Sequence, residues 1–126
     1  MISFIVTVTA KDGHEDQVAD FYRGIGELQS KAPGFGGRHI YRARTGAMVK
    51  AVLAGMSEED RAKHSAGGHG GHGDHATEGT QFVIIEQWAS IDDRMAFASG
   101  AAASRTKELV PHLLPVHSHE FFEEVV

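Results

Sequence analysis

The chain has 126 residues, which fits one domain with a modest core. Its formal net charge of −5, without any cluster of lysines and arginines, argues against a nucleic-acid partner. Cysteine is absent, so disulfides, thiolate metal sites and cysteine nucleophiles are excluded.

Neither a targeting segment nor a membrane span is predicted. The first residues do not combine a basic region with a long apolar run, and no stretch reaches about 18 apolar residues. We therefore expect a cytoplasmic protein without a membrane partner. We also expect a single domain over 1–126, with an inserted loop rich in histidine and glycine at about 55–80.

The first third of the chain has the pattern strand, helix, strand. Residues 1–9 alternate in polarity and are rich in β-branched side chains, which predicts a strand. Apolar residues recur every three or four positions over 13–29, which predicts an amphipathic helix. A proline–glycine pair ends that helix, and 35–44 is predicted as the second strand.

The middle of the chain interrupts this pattern. Residues 48–54 are predicted to extend a hairpin after the second strand, and the acidic run after Ser57 predicts the start of a short helix. Residues 64–79, HSAGGHGGHGDHATEG, contain no large apolar side chain. Such a segment cannot bury enough surface to offset its ordering entropy, so we expect a mobile loop between strands two and three.

The last third repeats the pattern strand, helix, strand. Residues 81–88 have apolar side chains on both faces, which predicts a central strand covered on both sides. Ser90 stands three residues before Asp93, the spacing of a capping box. This spacing predicts a helix over 91–109, with a break near the glycine inside it, and 116–125 is predicted as the last strand.

Two such units define the topology. Right-handed crossovers give an α+β fold, a ferredoxin-like βαββαβ antiparallel sheet of order 4-1-3-2 with both helices on one face. The opposite face contains Ile5 and Ile85 and is too apolar to remain in water over a whole sheet. We expect a second copy of the chain to cover it, so that a homodimer forms a dimeric α/β barrel.

Three segments resemble the antibiotic biosynthesis monooxygenase-like family of small dimeric α/β-barrel proteins. They are FIVTVTAKDGHEDQVADF, APGFGGRHIYR and FVIIEQWASIDDRMAF, and they cover most of residues 1–44 and 81–126. The family pattern is loose, since it consists of a hydrophobic rhythm, a P-G turn and an E-x-W strand end. The resemblance implies the barrel fold, and the family's members include cofactor-free oxygenases of phenolic or quinol substrates.

The family also includes haem-degrading enzymes, and that branch fits poorly. Its iron-ligating histidine belongs on the second helix, whereas no histidine occurs between Ile91 and Val110. The asparagine that this branch has on its first strand is missing from residues 2–9. We therefore expect no organic cofactor.

Trp88 matches the tryptophan that lines the substrate cavity in a phenol-oxidising member of the family. By this resemblance Trp88 is a catalytic candidate, because an indole N–H can donate a hydrogen bond to a phenolate or an oxyanion. The alternative is a core aromatic residue that fills the gap between sheet and helix.

Four further catalytic candidates lie on the outer strands. His39 and Tyr41 share one face of strand two with Phe35, and His117 and His119 share one face of strand four. These strands are opposite edges of the predicted sheet, roughly 14 Å apart. A dimeric barrel could bring the two pairs together across the subunits, as a base or a metal site. The alternative is that these histidines lie at the solvent-exposed rim of the barrel and hydrogen-bond to the backbone.

The closely spaced histidines of the middle segment suggest a metal site. Imidazole suits zinc, copper and nickel, and short spacings let one loop wrap an ion. The glycines allow that wrapping but leave the loop unorganised beforehand, which lowers affinity. The alternative is a solvated, low-complexity loop. The candidate ligands are His64, His69, His72 and His75, with Asp74 and Glu78 nearby.

The leading hypothesis is a cofactor-independent monooxygenase that acts on a small aromatic or quinol substrate. The first alternative is a non-catalytic barrel protein that binds a divalent transition metal (Zn, Cu or Ni) through the histidine-rich loop. The second alternative is a metal-dependent enzyme whose ion is held by the strand histidines. The sequence leaves these alternatives open.

Overall fold

The computed structural model describes residues 1–66 and 78–126, and the side chains of 64–66 lie outside the described part. In chain order, the elements are β1 (Ile2–Ala10), α1 (Glu15–Ser30), β2 (Phe35–Arg42), α2 (Ala47–Ala54), α3 (Glu58–Ala66), β3 (Thr80–Trp88), α4 (Ile91–Ser99), α5 (Thr106–Leu109), a 3₁₀ turn (Val110–His112) and β4 (Leu113–Phe122).

The strands form one antiparallel sheet of order β2-β3-β1-β4. In the middle of the sheet Ile5 of β1 pairs with Ile85 of β3 on one side and with Glu120 of β4 on the other. The predicted α+β, ferredoxin-like fold and its strand order are therefore confirmed. The two central strands are β1 and β3, in agreement with their apolar composition.

The core lies between the sheet and the helices. Alternate residues of the two central strands face the helices, because side chains along a strand alternate between its faces. Residues of α1 at a spacing of three and four meet them. Full burial of each large apolar side chain contributes about 1.5–3 kcal/mol. The strand residues are Phe4, Val8, Phe82, Ile84 and Trp88, and the α1 residues are Val18, Tyr22 and Ile25.

The segment after β2 is helical, so the predicted hairpin extension over 48–54 is wrong. The sequence AMVKAVLA of α2 is rich in alanine, leucine, methionine and lysine, which favour helices more than its two valines favour a strand. Gly46, at a φ of 83°, turns the chain into α2. The helix predicted after Ser57 is confirmed, since the hydroxyl of Ser57 accepts a hydrogen bond from the Asp60 backbone N–H (3.2 Å) at the start of α3.

An irregularity in β2 corrects the predicted face of Phe35. The register shifts between Phe35, which pairs with Trp88, and Gly37, which pairs with Gln87. One extra residue in a strand reverses the faces of the residues before it. Phe35 therefore lies on the helix side, edge-to-face with Trp88 at 5.2 Å between ring centroids. It does not share a face with His39.

The second crossover helix is broken, as the sequence predicts. The hydroxyl of Ser90 accepts a hydrogen bond from the Asp93 backbone N–H (3.1 Å) and so caps α4. Gly100 ends α4, and α5 begins only at Thr106. The last strand starts at Leu113 rather than at 116, and it includes a proline that an edge strand tolerates.

The other face of the sheet has no covering layer within the described chain. Ser3, Ile5 and Thr7 of β1 and Val83 and Ile85 of β3 lie on this open face and are partly exposed. Across residues 1–66 and 78–126, no helix has the length and apolar character needed to cross a membrane.

Candidate functional site

A cavity of about 880 Å³ lies between the helix side of the sheet and the surrounding helices. Its wall is mainly apolar, and a few polar side chains converge on it, which is the usual character of a small-molecule site. The polar and charged residues that face it are Lys11, Tyr22, Gln29, Glu86, Arg94, Thr106, His117 and His119.

Glu86 is the buried acid of this cavity. Only 3 % of the residue is exposed, and it lies on the helix-facing side of β3, next to Trp88. Its Oε1 accepts hydrogen bonds from Trp88 Nε1 and Arg94 Nε, both at 2.8 Å, and its Oε2 accepts one from Gln29 Nε2 at 2.7 Å. Such bonds satisfy a buried carboxylate and hold it in one orientation.

Arg94 is the cation of the pair. Its side chain is 16 % exposed, and the guanidinium carbon lies 4.3 Å from the centre of the Phe4 ring. Because Nε bonds to Glu86, the outer nitrogens of the guanidinium are not needed for that bond and can donate to a ligand. Helix α4 places this residue one turn after its capped start.

A second arginine, Arg38, holds the Gln29 side chain that bonds to Glu86. Arg38 Nη1 donates to the backbone oxygen of Tyr22 (2.5 Å) and to Gln29 Oε1 (3.1 Å). These contacts orient the Gln29 amide, whose nitrogen then points to Glu86. Burial lowers the pKa of Arg38 from its ordinary value, and the nearby charge of Glu86 opposes that shift.

Tyr22 is a protonated phenol on the cavity wall. Burial raises the pKa of Tyr22 well above its ordinary value, and the negative charge of Glu86 raises it further. The phenol therefore keeps its proton at neutral pH. It is a hydrogen-bond donor that faces the same space as Arg94.

The two histidines of β4 face the cavity from its edge. His117 pairs with Val8 and His119 with Val6, so both lie on the helix side of the sheet. His117 Nδ1 lies 3.1 Å from the carbonyl oxygen of Pro115. A carbonyl only accepts hydrogen bonds, so Nδ1 donates to it, and in the neutral ring Nε2 has the free lone pair. His117 can therefore act as a base.

Trp88 has a different position from the one that its predicted role requires. The residue is fully buried, and its indole N–H donates to Glu86 rather than into the cavity. Its ring packs between Phe35 and Phe97. The catalytic role of Trp88 stays a prediction, and in this geometry it would act through Glu86.

His39 and Tyr41 lie apart from the β4 histidines. They pair with Ile85 and Val83, so they are on the open face and at the opposite edge of the sheet. Their rings stack at 6.1 Å between centroids, and Tyr41 is 54 % exposed. The structure brings His117 and His119 together, but not with this pair, whose catalytic role stays a prediction that needs a second subunit.

The predicted metal site cannot be placed on the fold. The side chains of His64, His69, His72 and His75 lie outside the described residues. Among the described residues, no group of three or more histidine and acidic side chains is arranged to hold a metal ion. Metal binding by the loop stays a prediction.

Sequence reasoning missed Glu86, Arg94, Tyr22 and Gln29 as site residues. One signal was present, because Glu86 alternates with Phe82 and Ile84 on one face of an apolar strand. An acid on a buried face needs a partner.

Fold and site together define a class: small α+β proteins with a ligand cavity between a four-stranded sheet and its crossover helices. No family model matches the chain, and no curated protein matches its sequence significantly. Solved structures do match over nearly the whole length, and many of them are antibiotic biosynthesis monooxygenases.

Three of these structures illustrate the likeness. A protein from Bordetella bronchiseptica, assigned as an antibiotic biosynthesis monooxygenase, is 13% identical with a TM-score of 0.65, and the match covers 99% of this chain and 97% of that one. SnoaB from Streptomyces nogalater, a cofactor-independent oxygenase, is 14% identical with a TM-score of 0.63 over 99% and 93%. A Nitrosomonas europaea protein, assigned like the Bordetella protein as an antibiotic biosynthesis monooxygenase, is 12% identical with a TM-score of 0.63, and the match covers 98% of this chain and 89% of that one. The chain therefore has the fold of the antibiotic biosynthesis monooxygenases.

Proposed function

We propose that this protein is a cofactor-independent monooxygenase that acts on a small phenolic or quinol substrate. The observation that carries the proposal is the arrangement around the cavity: an apolar wall, a fixed cation, a protonated phenol and two histidines on the same side of the sheet. Oxygenation without a cofactor requires little more than these groups. The likeness of fold to SnoaB, a cofactor-independent oxygenase, supports the proposal.

Each group has a step in the proposed reaction. A ring nitrogen of His119, whose ring centre lies 6.2 Å from that of Phe4, takes the phenolic proton, and Arg94, which lies over Phe4, holds the phenolate oxygen. The electron-rich para carbon of the phenolate then forms a bond to O₂, which gives a peroxide at that carbon. The Tyr22 hydroxyl donates a hydrogen bond to this peroxide. Loss of water, which takes the para hydrogen and one oxygen atom, leaves a quinone. Phenol and O₂ give quinone and water, so the substrate supplies all the electrons.

Glu86 is a positioning residue in this scheme. Its carboxylate accepts hydrogen bonds from Arg94, Trp88 and Gln29, so both of its oxygens are already engaged. Its contribution is to fix the guanidinium at the cavity wall through Nε, which leaves the outer nitrogens outside that bond. Preorganised donors stabilise a developing anion without reorganisation at the moment of reaction.

We also propose that the active form is a homodimer. The open face presents Ile5, Val83 and Ile85, partly exposed in one chain. A second sheet packed on this face would complete the barrel and bring His39 and Tyr41 under cover. Any catalytic contribution of that pair depends on this assembly.

Oxygen uptake tests the enzymatic proposal. Protein stripped of metals by a chelator and by gel filtration is mixed with a panel of naphthols and quinols in an oxygen electrode. We expect uptake above the uncatalysed rate, about 10–100-fold slower for Arg94→Gln, since that variant removes one charged donor. Arg23→Gln, an exposed arginine on α1, is the matched control and should match wild type. A rate equal to background over the panel would refute the proposal.

Metal binding by the loop is a second candidate function. It is favoured by four histidines within 12 positions of a glycine-rich segment, from His64 to His75. Calorimetric titration with Zn²⁺, Cu²⁺ and Ni²⁺ compares wild type with a variant in which these four histidines are replaced by serine. We expect the variant to lose most of the binding; equal binding by both proteins would eliminate the loop as the site.

A further inference from the structure

The charges that face the cavity do not balance. Lys11 and Arg94 are cationic, and Glu86 is the only acid among the described residues that line it. Glu86 already pairs with Arg94 and with the Gln29–Arg38 chain. The cavity therefore has a surplus of positive charge, although the protein as a whole has a net charge of −5. A surplus cation beside an apolar wall attracts an anionic ligand.

Lys11 is the cation left for that ligand. It follows β1 directly, and its backbone N–H donates to the carbonyl oxygen of His112 (2.9 Å), which fixes it at the end of the cavity near Leu113. No described carboxylate lies within salt-bridge distance of its ammonium group.

The acids nearest to Lys11 in sequence are engaged elsewhere. Asp12 accepts a hydrogen bond from the Gly79 backbone N–H (3.2 Å), and Glu15 accepts one from the Thr80 hydroxyl (3.1 Å). Both contacts tie the turn before α1 to the start of β3.

The two cations mark opposite ends of the cavity. Arg94 lies over Phe4, whereas Lys11 is seven residues after Phe4 in the sequence. At about 3.3 Å per residue this separates the two backbone positions by up to roughly 23 Å, which the long side chains shorten. Val6 and Val8 form apolar wall between them, opposite His119 and His117.

We propose that the cavity selects an elongated aromatic acid, with its phenol at Arg94 and a carboxylate at Lys11. This inference rests on the proposed function for the phenol end, and it adds the second, charged recognition point. Neutral phenols of the same shape would fill the apolar middle and leave Lys11 without a partner. The preference is therefore electrostatic and should weaken with added salt.

Ligand binding tests the selection without turnover. The probes are 6-hydroxy-2-naphthoic acid and its methyl ester, titrated into the full chain by calorimetry under anaerobic conditions at pH 7. We expect the acid to bind at least 10-fold more tightly than the ester, and the ratio to fall at high salt. In Lys11→Met the ratio should approach one, and in Lys11→Arg it should be retained. Lys31→Met, at the other end of α1, is the control and should keep the wild-type ratio.

Several outcomes would overturn the proposal: equal binding of acid and ester, binding of neither, or an unchanged ratio in Lys11→Met. Circular dichroism checks that each variant is folded. If Lys11→Met is not folded, the comparison of wild type with Lys11→Arg still tests the proposal. Oxygen uptake separates this proposal from the enzymatic one. If neutral quinols are turned over and acids are not preferred, the oxygenase proposal stands and the proposed selection of an acid is refuted. If the acid binds selectively but no substrate is turned over, the selection stands and the oxygenase proposal is refuted.

Discussion

At the scale of single residues, the site depends on one buried carboxylate. Glu86 is tolerated under the sheet because three donors from β3, α1 and α4 satisfy it. The pair with Arg94 is weak evidence for stability as such, since burial of two charges costs about as much as their attraction returns. Removing one partner is a different matter, because the other charge is then buried alone.

Glu86→Gln should therefore lower the free energy of unfolding by about 3–5 kcal/mol, the cost typical of a broken buried pair. Urea denaturation followed by far-UV circular dichroism measures the change. Glu27→Gln, an exposed acid of α1, is the control and should change stability by less than about 0.5 kcal/mol. A loss below about 1 kcal/mol for Glu86→Gln would show that Arg94 does not depend on this carboxylate.

Tyr22 offers a test of the cavity's electrostatics. Burial and Glu86 raise its pKa, so its contribution to stability is complete below the ordinary value near 10 and is lost as pH rises through the folded value. In a Tyr41→Phe variant, Tyr22 is the only tyrosine. We expect no phenolate absorbance at 295 nm until the protein unfolds in alkali. Ionisation near pH 10 in the folded state would contradict the buried environment.

At the scale of elements, patterns local to the chain predicted most of the fold. Alternation predicted β1, apolar side chains on both faces predicted β3, and the spacing of Ser90 and Asp93 predicted the start of α4. The irregularity in β2 was missed, because only pairing with Trp88 and Gln87 reveals the extra residue. The helix α2 was missed, although its alanine, leucine, methionine and lysine residues favour a helix more than its two valines favour a strand.

The cap of α4 is worth a measurable amount. Ser90→Ala removes the acceptor of the Asp93 N–H and should destabilise the protein by about 1 kcal/mol. Thermal unfolding followed by circular dichroism detects the change. Ser104→Ala, in the exposed turn between α4 and α5, is the matched control. Equal midpoints for the two variants would mean that the cap contributes nothing.

A histidine pair joins two connections at one end of the cavity. His14 precedes α1 and His112 precedes β4, and their Nδ1 atoms lie 2.9 Å apart. Because one ring must donate and the other accept, the contact holds when at least one ring is neutral. His112→Phe should cost about 0.5–1.5 kcal/mol, the value of one hydrogen bond, by urea denaturation at pH 8. A variant as stable as wild type would mean that the pair is not formed in solution.

At the scale of the whole molecule, the site was less predictable than the fold. Gln29 and Glu86 are 57 residues apart in sequence, and Arg38 reaches Gln29 from a different element. Such partners depend on how α1, β2 and β3 meet, which no local pattern encodes. His117 and His119 could be named from the sequence, but only the register of β4 against β1 places them on the cavity side.

The open face makes the oligomeric state testable. Ile85 lies at the middle of that face, between Ile5 and His39. Ile85→Lys should convert a dimer to a monomer in light scattering coupled to gel filtration, because a buried charge without a partner is costly. Ile91→Lys, at a position already 46 % exposed on α4, should remain dimeric. A wild-type protein that elutes as a monomer would contradict the proposed assembly.

The fate of molecular oxygen tests the central claim most directly. Metal-stripped protein is given ¹⁸O₂ and the phenolic substrate with the fastest oxygen uptake, and the product is analysed by mass spectrometry. The proposal predicts one ¹⁸O atom in each product molecule and the other in water, with product formation strongly reduced in Arg94→Gln. Product without label, or equal labelling rates in Arg94→Gln and wild type, would contradict catalysis in this cavity.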